Sequence, residues 1–240
     1  MYTLIIILLI SLMLISSYFI LKSKLEDKTQ EDIFEEISEI AEENNTEDNK
    51  SKQEEINMQE LYELNNDIVG WLKIDNTNIN YPVMQTKDNP NYYLRRNFYK
   101  QYSQWGTPFL AENCNIEISD NLIIYGHHIS NSKMFGELEN YRKEEFYNSH
   151  KIIKFFTMEE NTEYEIISVF KTIAYSGFRY YEYINFENES EFNTFINKCN
   201  ELAFYNIENN VNYGDKFITL STCDYTSKNG RLVVVARKIL

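Results

Sequence analysis

Two apolar stretches near the C-terminus constrain this chain more than any other feature. Residues 216–223 (KFITLSTC) and 231–237 (RLVVVAR) are rich in β-branched and aromatic residues, and the first alternates between two faces. Phe217, Thr219, Ser221 and Cys223 fall on one face; Ile218, Leu220 and Thr222 fall on the other. Cys223 therefore sits at a strand end, on the more polar face. The loop over residues 224–230 ends in Asn-Gly, a strong turn signal. If the two strands pair across it, Cys223 and Arg231 flank the same loop and lie side by side. A cation there favours thiolate over thiol. It would equally stabilise an oxyanion on a carbonyl attacked by that thiolate. Asp224 adjoins Cys223 and would oppose the thiolate if it pointed at the sulfur.

A thiol nucleophile needs an acid/base partner to protonate its leaving group. The chain has three His: His127, His128 and His150. The first two follow a short apolar strand (residues 122–125, LIIY) and Gly126, which permits a tight backbone turn. If the strand continues, adjacent side chains point to opposite faces, so only one of the pair faces the thiol. His150 reads as a solvent-exposed residue. A metal bound by His127, His128 and Cys223 lacks an evident fourth ligand.

The run TLSTC ending at Cys223, Arg231 downstream of it, and YGH over residues 125–127 together resemble the sortases. Residues 67–74 (DIVGWLKI) and 79–85 (INYPVMQ) narrow the likeness to class B, the membrane-anchored cysteine transpeptidases of Gram-positive bacteria. The resemblance covers residues 58–240. It implies a closed eight-stranded β-barrel with N-terminal helices and a long helix before the Cys strand. It also implies Cys223 as nucleophile, His127 as acid/base because it directly follows the Gly, and Arg231 as the oxyanion donor. Thr219, Ser221, Thr222 and His128 become candidates for lining the substrate groove. The implied reaction cuts a C-terminal sorting motif of a surface protein, NPxTN-like or SPxTG-like, after its Thr. The acyl group then passes through a thioacyl-enzyme to an amine of the peptidoglycan peptide or of a pilin. No metal or organic cofactor is implied. The alternative is a cysteine protease or amidase of the same fold with water as acceptor.

Residues 2–21 hold no charge and are dominated by Leu and Ile, long enough to cross a hydrocarbon core as one helix. They are expected to remain as an uncleaved membrane anchor. Lys22 and Lys24 follow the apolar run, and taken alone they would place the C-terminal side in the cytoplasm. The resemblance implies the opposite, a single-pass protein with its catalytic domain outside the cell. Residues 22–57 are expected to form an acidic spacer: Ile33, Phe34, Ile37, Ile40 and Ala41 recur at helical spacing, and residues 42–55 read as a flexible linker. The catalytic domain is expected over residues 58–240.

Within that domain residues 58–64 read as a helix, and residues 69–74, 79–83, 106–111, 121–125, 152–156, 163–174 and 180–184 as strands. Residues 132–141 and 190–205 read as helices, the second with Ser190 as N-cap and Cys199 on its apolar stripe. With 23 basic and 37 acidic residues the net charge is −14, which disfavours nucleic acid as a partner. No C-x-x-C occurs, and Cys114 and Cys199 read as core thiols.

Overall fold

The computed structural model describes residues 2–42, 55–130 and 132–239. Ten strands form: β1 (Ile68–Lys73), β2 (Asn80–Met84), β3 (Phe109–Leu110), β4 (Asn121–Tyr125), β5 (His128–Ile129), β6 (Lys133–Met134), β7 (Ile152–Phe156), β8 (Asn161–Ile173), β9 (Phe217–Asp224) and β10 (Gly230–Lys238). Eight of them close into a barrel in the order β1-β2-β3-β4-β9-β10-β8-β7, while β5 and β6 form a separate ribbon. Closure gives each of the eight barrel strands a partner on both sides. Most neighbours are antiparallel, but β2 with β3 and β4 with β9 are parallel. The β4–β9 pairing positions the site. Tyr125 lies opposite Ser221, so Gly126-His127, where β4 leaves the sheet, and Thr222-Cys223, still in β9, lie at the same end of the barrel.

Among the described residues four α-helices accompany the barrel: α1 (Tyr2–Glu42), α2 (Met58–Leu64), α3 (Glu144–Ser149) and α4 (Glu189–Leu202). Helix α1 is continuous through both the apolar run and the expected spacer helix. Its first half exposes large apolar side chains from Leu4 to Leu21, with a mean hydropathy of 2.8. Its second half differs from the spacer reading, because the apolar stripe is docked. Phe34, Ile37 and Ala41 are buried, and Phe34 packs on Tyr81 and Trp105 at ring distances of 5.2 and 6.5 Å. Polar contacts ring this seam: Trp105 Nε1–H donates to Asp27 (2.9 Å), Lys73 pairs with Glu42 (2.8 Å) and Asn80 donates to Ser38 (2.8 Å). Burying the stripe stabilises the helix more than exposed propensity would. Of the expected flexible linker, residues 43–54 lie outside the described residues.

Three local expectations are corrected. Residues 180–184 read as a strand, yet Tyr180–Glu182 is a turn of 3-10 helix. The closed barrel has no free edge for another strand, so the segment packs its rings instead. Residues 132–141 form strand β6 followed by a 3-10 helix, Phe135–Arg142. There Gly136 lies so close to Ile129 that a Cβ would sit 2.1 Å from its carbonyl oxygen. Helix α4 is capped by Asn188 rather than Ser190; the Asn188 side chain accepts from the Glu191 amide at 3.0 Å. Helix α4 buries Phe192, Phe195, Ile196 and Cys199. Phe192 and Phe195 each lie 6.0 Å from the Phe217 ring, and so clamp the start of the Cys strand.

Candidate active site

Strand β9 carries Cys223 at its C-terminal end, half-buried, directly opposite Arg231 on β10. The pairing expected across the Asn-Gly loop is the one observed. Ser221 turns its carbonyl toward β4, where Gly126 N–H donates to it at 3.1 Å. Cys223 shares that orientation by alternation, so Cys223 and Arg231 exchange no backbone bonds. Such pairs have the closer Cα spacing and bring their side chains together. One guanidinium N–H of Arg231 donates to the carbonyl of Gly230 (2.9 Å), which leaves the rest of the fork for the groove.

His127 follows the tight passage at Gly126, where a Cβ would lie 2.5 Å from the Phe135 ring. Its Nε2 lies 2.8 Å from the carbonyl of Leu94. A carbonyl only accepts, so Nε2 carries a proton and Nδ1 is the nitrogen free to exchange one. Burial lowers the imidazole's pKa from its ordinary 6.5; the Leu94 bond opposes this and the charge of Arg95 adds to it.

Cys223, Arg231 and His127 line one cavity of about 480 Å³ together with Leu94, Tyr180 and Ser221. Thr222 also lines it, and its hydroxyl donates to the carbonyl of Gly126 (2.9 Å). The other two groove candidates lie elsewhere. Thr219 is fully buried and donates to Asn121 (2.8 Å), because it stands too far back along β9 to reach the rim. His128 lines a second cavity of about 340 Å³ with Asp27, Arg95, Trp105, Lys133 and Tyr225, and His127 is shared between the two. His150 stacks on Phe146 at 4.1 Å, outside both. Cys114 and Cys199 are buried thiols, and burial pushes Cys114 up to about 11. Among the described residues, no three His, Cys, Asp or Glu side chains gather as a metal would require.

Asp224 points away from the sulfur. It is 2% exposed and lies 3.1 Å from both Arg142 and Lys171 on the opposite face of β9. Burial alone would raise its pKa. Hydrogen bonds from Thr226 and Lys171 and the charge of Arg142 outweigh burial and hold the carboxyl at about 2.

The sortase domain family matches residues 72–239. The chain is 32% identical to sortase B of Staphylococcus aureus, an alignment covering 99% of this chain and 96% of that protein. It is 34% identical to sortase B of Listeria monocytogenes over 76% of this chain and 74% of that one. Among solved structures it resembles the Staphylococcus aureus sortase B–substrate complex, with a TM-score of 0.79, 31% identity, and coverage of 90% and 98%. The chain belongs to the sortase family. It is a cysteine transpeptidase of the sortase B type, and the closed mixed barrel is the fold of those relatives.

Sequence reading overlooked part of this sortase's groove wall. Tyr180 is the main case: its hydroxyl lies 2.6 Å from Ser221 Oγ, beside Cys223 and Arg231, and burial pushes it up to about 12. Leu94, which holds His127, is another. Neither carries a motif signal, since one sits in a run of tyrosines and the other in a single turn of 3-10 helix, Tyr92–Arg95.

Proposed function

We propose that this sortase cuts a C-terminal sorting motif of surface proteins after its Thr and passes the acyl group to an amine of the peptidoglycan peptide or of a pilin. The observation that carries the reading is the shared cavity: Cys223, His127 and Arg231 line one groove, with apolar walls from Leu94, Phe109 and Tyr181. Its volume of about 480 Å³ suits a short peptide segment.

In the first half-reaction the Cys223 thiolate adds to the carbonyl carbon of the motif's Thr. Arg231 donates hydrogen bonds to the developing oxyanion. His127, as imidazolium, protonates the departing amine, the C–N bond breaks and the thioester remains. In the second half-reaction neutral His127 takes a proton from the incoming amine as it attacks the thioester. The new amide forms, the C–S bond breaks, and the Cys223 thiolate is released with His127 again an imidazolium. Residues 2–21 seat the enzyme in the cell membrane with its barrel outside, in keeping with their exposed apolar surface.

The test incubates the chain from residue 22 onward with peptides bearing NPxTN-like or SPxTG-like motifs, with and without an amine acceptor. Mass spectrometry should find an acyl adduct on Cys223 and an amine-joined product. Hydrolysis alone in the presence of amine would favour the protease alternative. Protease added to intact cells should digest the barrel; full protection would overturn the topology.

A further inference from the structure

Strand β4 ends at Tyr125, while its parallel neighbour β9 runs on to Asp224. Along one edge of a strand the carbonyls recur at every second residue. The last main-chain bond on this edge runs from Gly126 N–H to Ser221 O at 3.1 Å. The next carbonyl is that of Cys223, and the amide in step with it would be that of residue 128. By then the chain has turned away. His128 pairs with Met134 in the β5–β6 ribbon, and Phe135 N–H bonds to the carbonyl of His127 at 2.9 Å. The group that reaches Cys223 is the side chain of His128, with Nδ1 3.0 Å from the Cys223 carbonyl oxygen. Because a carbonyl only accepts, Nδ1–H is the donor. The ring is held in place edge-to-face by Tyr225, at 5.1 Å and 67°.

We propose that His128 is a positioning residue: its imidazole N–H replaces the missing strand amide and holds Cys223 in register with His127. The claim rests on the reading of Cys223 and His127 as the reacting pair. Two side-chain bonds then span the point where β4 peels off, Thr222 to Gly126 and His128 to Cys223. They tie the nucleophile's strand to residues on either side of His127. The two adjacent histidines divide the work: one exchanges protons and the other fixes the distance over which they move.

The test uses the full chain in detergent and three variants. His128→Phe keeps a ring against Tyr225 but has no donor. His128→Asn places an amide N–H where Nδ1 stands. His128→Ala removes both. His128→Phe and His128→Ala should lower kcat about 10–100-fold, since a misplacement of about 1 Å can cost on the order of 10²-fold. KM for the sorting peptide should change less than about twofold, and His128→Asn should recover kcat to within about threefold of the parent. A purely structural bond would lower the melting temperature and leave kcat unchanged, which would overturn the proposal. Failure of a folded His128→Asn to recover activity would do the same. Imidazole ¹⁵N shifts of the parent enzyme give a reading independent of variant folding: His128 should show a protonated Nδ1, and an Nε2–H tautomer would refute the bond. A parent enzyme that cleaves no sorting peptide would instead sink the substrate reading, with the nitrogen shifts still deciding the bond.

Discussion

Cys223 and Arg231 stand directly opposite each other on neighbouring antiparallel strands, on the same face of the barrel wall. In the proposed reaction the thiol and the guanidinium meet one carbonyl from these adjacent positions. Arg231→Lys keeps the charge but loses the planar fork of donors. Acylation by a sorting peptide should fall by roughly 10²–10³-fold, the usual effect of losing an oxyanion donor. Single-turnover acylation followed by mass spectrometry measures this. An unchanged rate would show that the guanidinium does not contact the reacting oxygen.

His127 should titrate below the ordinary histidine value of 6.5, because burial disfavours its charged form. Arg95 adds to the depression, so Arg95→Gln should raise the midpoint. NMR titration of the imidazole reads both shifts, and a midpoint above 6.5 in the parent would contradict the buried placement. His127→Ala should lower kcat by roughly 10²–10⁴-fold, the range for a general acid/base group.

The Asp224 cluster makes a stability prediction. Its carboxyl sits at about 2 in the folded chain, below its ordinary 3.8. A depressed carboxyl contributes stability that is complete above the unfolded value and is lost as pH falls through the folded one. The loss should therefore run from about pH 4 down to pH 2. Asp224→Asn should cost about 3 kcal/mol at neutral pH, the lower end for breaking a buried ion pair, since Arg142 and Lys171 keep some solvent contact. Denaturant melts of both proteins at pH 7 and pH 3 test this. The gap between them should narrow at the lower pH, and a gap independent of pH would refute the assignment.

Helix α1 is fastened to the rest of the fold through buried Phe34, Ile37 and Ala41, and Phe34 packs against both Tyr81 and Trp105. Phe34→Ala, in the chain from residue 22 onward, should destabilise by about 3 kcal/mol. It should also shift Trp105 emission to the red as that ring gains water. Unchanged emission would mean that the docked half of α1 contributes little.

Local pattern alone made much of the architecture legible. Runs of β-branched and aromatic residues marked β1, β2, β4 and β7, and alternation marked the Cys strand. The Asn-Gly loop joined β9 to β10, so the Cys223–Arg231 pairing could be read from neighbouring residues. The apolar stripe of Phe34, Ile37 and Ala41 announced a helical face. Its partner stayed hidden, because Trp105 and Tyr81 lie far away in the chain.

Tertiary structure decided what depends on non-local register. The parallel pairing of β4 with β9 joins segments almost one hundred residues apart, and no local signal encodes it. That pairing brings His127 to the rim beside Cys223. It ends two residues too early for the backbone to satisfy Cys223, which leaves the acceptor to His128. It sinks Thr219 below the groove, and barrel closure turns Tyr180 from an expected strand into a buried ring. Strand β8 and the 3-10 helix Phe135–Arg142 give Asp224 its cations, Lys171 and Arg142, on the face away from the thiol. Sequence determined which residues carry chemistry and how each strand faces; packing determined which of them meet, because contact across a barrel follows register and closure rather than spacing along the chain.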